Sequence, residues 1–293
     1  MSVNPEFQKL LSTPNVKFTI ILGAGYHRQA LQCNTVLSSW DLLLKTLKPE
    51  AKLTREYHLD FEKIIESEKN ANEDSYKTEQ RLIKRIQDII EKEQEKALNE
   101  YPHCYSMGIF TSDKISDVVS LNFDQIPERL LSNNSKKHKY FNISSFSKTA
   151  KGRKTFSKQS YSYLSTRYEE IKISGKGSIR FWHPHGVIEN NKSIVLGLHR
   201  YAQLVKNTMS LRDKHIQEKK ETENKPEIRT WYQSLVNNPI IILGAELSST
   251  EWDLWYALTA RNRANGESQA IFQMRECECI EKHQHAWFQP LFT

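Results

Sequence analysis

Four short strings place reactive or phosphate-binding residue types directly after an apolar, strand-like run. They are ILGAGYHRQ at 21–29, SLNFDQIPERL at 120–130, HPHGVIE at 183–189 and IIILGAELSSTEWDLW at 240–255. Their glycines allow the backbone to approach a phosphate, and their amide and imidazole groups can orient or deprotonate a hydroxyl. Ligands of open α/β sheets bind at the carboxyl ends of strands, so we expect the four strings to meet at one nucleotide crevice.

His185 is the strongest candidate for a general base. Imidazole titrates near neutral pH and can take a proton from water or a hydroxyl, although a structural hydrogen bond is the alternative role. Its position at a predicted strand end before Gly186 favours it over His183. Asn122, at the end of the second apolar run, could orient a water or hold a ribose hydroxyl. Asp124 either caps the following helix or holds Asn122 in place.

The first glycine turn is a candidate phosphate loop. Gly23, Ala24 and Gly25 permit a tight turn, and the N–H groups of a following helix could hold a pyrophosphate. The third glycine of the full dinucleotide fingerprint is missing, so a plain glycine turn is the alternative.

The fourth string repeats the strand-then-glycine design. Gly244 permits close approach, and Glu246 or Ser248 could meet ribose hydroxyls, while helix capping by Ser248 is the alternative. The candidate nucleotide-binding residues are Gly23, Ala24, Gly25, Arg28, Asp124, Gly244, Glu246 and Ser248.

The elements that position these residues alternate between strand and helix. Strands are predicted at 18–22, 118–121, 240–243 and 269–274, and helices at 38–47, 57–65 and 76–99. The last helix carries an apolar stripe over 82–90 at three- and four-residue spacing, which indicates either core or an oligomer seam. This alternation predicts an α/β fold, namely a Rossmann-like, doubly wound, mostly parallel sheet with helical insertions.

The chain is interpreted as one catalytic domain over 1–293. A helical insertion is expected at 50–105, a basic, aromatic-rich insertion with little periodicity at 133–178, and a charged linker or helix at 206–228. Basic and aromatic residues alternate over 136–158 without any acidic residue, and the formal net charge of the chain is +7. This segment could bind a nucleic-acid backbone, or it is simply a solvated insertion.

Composition excludes several classes of protein. No apolar run approaches the roughly 20 residues needed to cross a bilayer, and the N-terminus has no signal-peptide pattern. The chain has 4 cysteines, too few and too uneven for a disulfide framework, which favours a reducing cytoplasm. Metal-capable residues lie at Cys277, Cys279, His283 and His285. Their spacing does not match a zinc hook, so no metal is expected.

The ordered set of motifs resembles the sirtuin-like domains of bacterial anti-phage defence proteins. The matching segments are LGAG at 22–25, SSWDLLL at 38–44, SLNFDQIPERL at 120–130, HPHGVIEN at 183–190, IVLG-x-x-x-Y at 194–201 and IILGAELSSTEWD at 241–253. The resemblance covers residues 18 to 275. It implies a Rossmann-like fold, NAD⁺ as substrate, and Asn122 and His185 as the catalytic pair. It also makes 23–25 the phosphate loop and places Gly244 and Ser248 near the ribose and adenine.

Two departures narrow the implied activity. His27 stands where the family usually has a serine, and the chain lacks the two Cys-x-x-Cys pairs that hold zinc in protein-deacetylating sirtuins. The zinc-free, defence-associated branch hydrolyses NAD⁺ to nicotinamide and ADP-ribose and so depletes the infected cell. The chain resembles that branch, and we therefore expect an NAD⁺ glycohydrolase. The alternatives are an NAD-dependent deacylase and a non-catalytic nucleotide- or nucleic-acid-binding regulatory subunit.

The expected partners are further copies of the chain and, from the same resemblance, an ATPase. Because no sensor module is visible, control is expected from a homo-oligomer or from a separate HerA-type ATPase. Candidate oligomer surfaces are the 82–90 stripe and the C-terminal aromatics Trp287, Phe288 and Phe292.

Overall fold

An eight-stranded mixed sheet organises the chain. The computed structural model describes residues 5–132, 138–142, 167–173, 177–221, 230–247, 251–265, 271–275 and 287–290. The strands are β1 (Phe18–Leu22), β2 (Ile115–Ser120), β3 (His138–Asn142), β4 (Arg167–Ile173), β5 (Gly177–Trp182), β6 (Ile240–Leu243), β7 (Ile271–Arg275) and β8 (Trp287–Pro290). The helices are α1 (Pro5–Ser12), α2 (Gly25–Leu31), α3 (Trp40–Leu47), α4 (Tyr57–Glu68), α5 (Ser75–Glu100), α6 (Ile126–Ser132), α7 (Leu198–Glu221), α8 (Trp231–Asn237) and α9 (Trp252–Asn265). Short 3-10 turns lie at Pro102–Cys104 and Asn191–Ser193.

The strand order is β3-β4-β5-β2-β1-β6-β7-β8. The central strands β5, β2, β1, β6 and β7 run parallel, while β3, β4 and β8 extend the two edges in antiparallel pairing. Along the chain the sheet grows from β1 through β2 to β5, then reverses to the other side of β1 with β6 and β7. This is the predicted Rossmann-like winding, which reverses direction between β1 and β6.

Both faces of the central sheet are buried, as parallel sheets require. In β1, Ile20 and Leu22 pack with the α1, α3, α4 and α5 side of the sheet, whereas Ile21 packs with α7, α8 and α9. In β6, Ile241 and Ile242 divide between the faces in the same way. Successive strand side chains point to opposite faces, so a continuous run of apolar residues supplies both cores.

The apolar stripe of α5 belongs to the core. Leu82, Ile83, Ile86 and Ile90 are buried among side chains of the sheet, and Ile89 packs against them. The oligomer-seam alternative for this stripe is therefore wrong, because the chain itself covers the stripe.

The segment predicted to lack periodicity contains two strands. β3 pairs with β4 and β4 pairs with β5, so residues 138–142 and 167–173 of the 133–178 segment form strands of the sheet. The alternation of apolar and polar residues typical of a strand is not visible in the sequence of β4, because one of its inward positions is a charged residue. Glu169 is buried and accepts a hydrogen bond from Gln125 at 3.3 Å.

The charged segment 206–228 continues a helix over part of its length. α7 extends to Glu221, which selects the helix alternative for 206–221. Three predicted features lie outside the described part of the chain. They are the side chains of the basic segment 136–158, residues 222–229, and the metal-capable residues Cys277, Cys279, His283 and His285. Within the described ranges, none of the helices has the length and apolar character needed to traverse a lipid bilayer.

Candidate active site

One pocket joins the turns that follow β1 and β2. Ala24 comes from the first turn, and Asn122 and Asp124 come from the second. Trp40 and Phe123, whose rings meet edge-to-face at 5.2 Å, form part of its apolar wall. The parallel pairing of β1 with β2 therefore brings the predicted phosphate loop and the predicted amide to the same cavity.

The glycines bring the turns after β1 and β6 into backbone contact. The Gly25 N–H donates to the Gly244 carbonyl at 2.8 Å, and the Gly23 N–H donates to the Leu243 carbonyl at 2.9 Å. A Cβ on Gly23 would lie 2.5 Å from the Ala245 Cα, and Gly244 has φ of +66°. These residues are therefore glycine because the two turns pack tightly at the reversal of the sheet.

Asn122 is held from two sides. Its side-chain Nδ2 lies 3.1 Å from Nε2 of His27, and its backbone carbonyl lies 3.2 Å from Nδ1 of His183. The residue is only 8% exposed, so it retains an edge toward the pocket while most of it is fixed by protein.

His27 bridges the two turns at the base of the pocket. Its Nε2 lies 2.9 Å from Oδ2 of Asp124, and its Nδ1 lies 3.2 Å from the hydroxyl of Tyr105. Asp124 also accepts a hydrogen bond from the Ile126 N–H at 3.1 Å. Burial alone would raise the pKa of Asp124, but the charge and hydrogen bond of His27 outweigh it and lower that pKa. Asp124 thus caps α6, one of the two roles considered from the sequence, and pairs with His27, which also lies beside Asn122.

His183 forms a second buried pair with Glu128. The His183 Nε2 lies 2.6 Å from Glu128 Oε1, and both residues are buried. Burial and the nearby Glu169 raise the pKa of Glu128. The pKa of His183 is also raised, because the attraction of Glu128 outweighs the burial that opposes its charge. His183 is therefore committed to Glu128 and to the backbone of Asn122.

His185 forms a third buried pair, with Asp253. Nε2 of His185 lies 3.1 Å from Oδ2 of Asp253, and the Tyr201 hydroxyl donates to Oδ1 of the same carboxylate at 2.9 Å. Burial would lower the pKa of His185, but the adjacent Asp253 charge raises it. The Asp253 pKa is lowered, because burial, which opposes ionisation, is outweighed by His185 and Tyr201.

The turn that carries His185 is fixed by the backbone. The Val195 N–H donates to the His185 carbonyl at 2.8 Å, and the Gly186 N–H donates to the His183 carbonyl at 3.0 Å. Gly186 has φ of +95°, a conformation that favours glycine, and packs directly on the Ser193 carbonyl. The end of β5 therefore presents His183 and His185 in one defined arrangement.

The remaining candidates lie at the margins of this arrangement. Arg28 is exposed on α2, and Glu246 is exposed just beyond β6. Ser248 lies outside the described residues. Among the residues that the structure describes, no group of three or more His, Cys, Asp and Glu side chains is arranged to hold a metal ion.

Sequence reasoning missed four residues of this network. Glu128 pairs with His183, and Asp253 pairs with His185. Tyr201 donates to Asp253, and His27 lies between Asp124 and Asn122. Tyr201 is the last residue of the motif IVLG-x-x-x-Y, and Asp253 is the last residue of the 241–253 motif. Their place in these motifs was the sequence signal that could have identified them.

The fold and the pocket define a Rossmann-like α/β protein with its site at the carboxyl ends of parallel strands. Comparison with protein-family models matches the SIR2-like domain over residues 116–289. This is more than half of the chain, which therefore belongs to the SIR2-like family, whose members are in general NAD-dependent enzymes. A search of curated proteins returns no match. The matched range includes Asn122, His185 and Asp253, whereas β1 and its glycine turn precede it.

Proposed function

We propose that the chain is an NAD⁺ glycohydrolase that cleaves the nicotinamide–ribose bond to give nicotinamide and ADP-ribose. The observation that carries the proposal is the pocket shared by Ala24 and Asn122, with the His185–Asp253 pair at the end of the next strand, β5. A glycine turn, a fixed amide and an activated imidazole are the groups that hydrolysis of a dinucleotide requires.

The turns suit a dinucleotide for physical reasons. The Gly25 N–H and the Gly244 carbonyl hold the turns after β1 and β6 together, and Ala24 adds only a methyl group to the pocket. Trp40 and Phe123 offer apolar surface for a ring. Arg28 and Glu246 remain candidates for contacts to phosphate and ribose, and Ser248 for contacts to ribose and adenine.

In the proposed reaction, the bond between ribose and nicotinamide breaks through an oxocarbenium-like transition state, as glycosidic bonds generally do. Asn122 orients a water toward the anomeric carbon. His185 takes one proton from that water as the new C–O bond forms, and nicotinamide leaves with the electron pair of the broken C–N bond. The proton on His185 is then released to solvent.

The test is release of nicotinamide and ADP-ribose from NAD⁺ by the full chain. Asn122→Ala and His185→Gln should each lower kcat by about 10²-fold or more while the fold stays intact, because each removes a group that acts on the reacting atoms. His103→Gln is the control, since this histidine is exposed on the 3-10 turn Pro102–Cys104. Full activity in either site variant would remove that residue from the mechanism.

The same assay separates the alternatives. An NAD-dependent deacylase would release nicotinamide only when an acetylated lysine peptide is added. A non-catalytic regulatory subunit would bind NAD⁺ or nucleic acid without turnover, and any nucleic-acid binding through 136–158 would weaken steeply with salt.

We further propose that this activity serves anti-phage defence by depleting NAD⁺, and that it is held in check until infection. The control would come from homo-oligomerisation or from a HerA-type ATPase partner. The test is co-expression of the chain with a HerA-type ATPase and measurement of cellular NAD⁺ during infection. Depletion of NAD⁺ with the wild-type chain, but not with the His185→Gln chain, would support this role. Unchanged cellular NAD⁺ during infection would contradict it.

A further inference from the structure

We propose that Asp253 is a positioning residue that holds His185 in one tautomer, so that Nδ1 is the atom that accepts the proton. The assignment of the tautomer stands on the structure alone. Its use in catalysis rests on the proposed function.

The pair is rigid because each member is anchored elsewhere. Asp253 is fully buried in the first turn of α9, and its second oxygen accepts the Tyr201 hydroxyl of α7 at 2.9 Å. His185 is 6% exposed and its backbone is hydrogen-bonded to Val195. The carboxylate therefore cannot swing away without breaking contacts between two helices.

The tautomer follows from hydrogen-bond chemistry. An ionised carboxylate only accepts hydrogen bonds, so the His185 Nε2 that faces Asp253 at 3.1 Å must carry the hydrogen. The lone pair of the neutral ring then lies on Nδ1. Among the residues that the structure describes, no hydrogen bond reaches Nδ1, which leaves it available to a water or a ribose hydroxyl.

The other groups around His185 do not compete for Nε2. His58 of α4 stacks on Tyr201 with ring centroids 4.0 Å apart, and burial together with the charge of His185 lowers the pKa of His58 to about 4. Glu251, just before α9, adds negative charge that favours protonation of His185. Asp253 is thus the acceptor that fixes the hydrogen, and its neighbours Tyr201, His58 and Glu251 complete the surroundings.

The first experiment is NMR of the full wild-type chain with ¹⁵N-labelled histidine, with the His185 signals assigned by their loss in His185→Gln. The expected result is a neutral ring protonated at Nε2. Its pKa should lie above the ordinary histidine value. A neutral ring protonated at Nδ1 would overturn the proposal. This readout needs neither a folded Asp253 variant nor any NAD⁺ cleavage, so its failure is distinct from failure of the proposed function.

The second experiment is Asp253→Asn, which keeps the shape but removes the charge. The His185 pKa should fall, kcat should drop about 10²-fold, and KM for NAD⁺ should change little, because the residue orients the base without touching substrate. Asp60→Asn is the matched control, since Asp60 is equally buried but serves Thr54 and Lys63. An unchanged His185 pKa and an unchanged kcat in Asp253→Asn would contradict the role.

Discussion

At the scale of single residues, the site depends on three buried histidine–carboxylate pairs. His27 faces Asp124, His183 faces Glu128, and His185 faces Asp253. A buried carboxylate without a partner costs several kcal/mol, so each histidine stabilises an ionised or proton-sharing group that the core would otherwise exclude. The first two pairs fix Asn122 and the third fixes His185.

His27→Ser tests this dependence at the residue that departs most from the family pattern. Serine is too short to reach both Asp124 and Asn122, so the buried carboxylate would lose its nearest counter-charge. We expect the free energy of unfolding to fall by about 3 kcal/mol, measured by urea denaturation at pH 7. His103→Ser, at an exposed histidine, should leave it unchanged. A His27→Ser chain as stable as wild type would show that the pair contributes nothing to stability.

The sequence made Asn122 and His185 candidates because an amide and an imidazole follow strand-like runs in motifs that resemble the sirtuin-like family. Residue types alone could not point to Asp253, which follows His185 by 68 positions and meets it only after α7 and α9 pack on the sheet. His27 was noticed as a departure from a serine, but its pairing with Asp124 depends on the close approach of the turns after β1 and β2.

At the scale of elements, the turn between β5 and the 3-10 turn Asn191–Ser193 controls where His185 lies. Gly186 lets the chain reverse with φ of +95° while its Cα packs on the Ser193 carbonyl. The hydrogen bond from Val195 to the His185 carbonyl closes the same turn. A change at Gly186 should therefore act on the neighbouring imidazole as well as on stability.

Gly186→Ala measures this effect, and the chain offers a matched control. Gly177 has φ of +96°, nearly the same conformation, but no atom of the described residues lies within 4 Å of an added Cβ. Gly177→Ala should cost only backbone strain of about 1 kcal/mol. Gly186→Ala should cost about 2 kcal/mol more, because the methyl group overlaps Ser193, and should also lower kcat for NAD⁺ cleavage. Equal losses of stability and activity in the two variants would contradict the proposed control by this turn.

The sequence predicted elements well where local signals were strong. β1 and β6 have the predicted bounds because both are uninterrupted apolar runs before glycine, and α5 extends the predicted 76–99 helix by one residue at each end. The edge strands β3 and β8 were missed. Edge strands have one neighbour, so burial imposes less of a pattern on their side chains.

At the scale of the whole molecule, the helical region 50–105 reaches the site through His58. This α4 side chain stacks on Tyr201, which in turn binds Asp253, so α4, α7, α9 and the end of β5 meet around one charge. Through these contacts, the helical region 50–105 contributes a side chain to the environment of His185. Stability of the fold and protonation of the site should then respond together to pH.

The sign of that response is set by opposing shifts. His185 has a raised pKa, so its pairing stabilises the fold below pH 6.5, and this contribution is lost as the pH rises through the raised value. Asp253 has a lowered pKa, so its contribution is present above pH 3.8 and is lost in stronger acid. The His58 pKa is lowered from 6.5 to about 4, because burial and the charge of His185 oppose its protonation. Between pH 6.5 and about 4, His58 is protonated in the unfolded chain but not in the folded chain. The free energy of unfolding therefore decreases as the pH falls through this range.

His58→Phe should therefore flatten the acid side of the stability curve. Phenylalanine retains a ring to stack on Tyr201 but cannot be protonated in the unfolded state. Relative to wild type, the variant should gain about 3 kcal/mol in unfolding free energy on going from pH 7 to pH 4, measured by urea denaturation across that range. His103→Phe, at an exposed histidine, should follow the wild-type curve. If His58→Phe also follows it, then His58 is protonated as readily in the folded chain as in the unfolded one, and the charge of His185 does not reach α4.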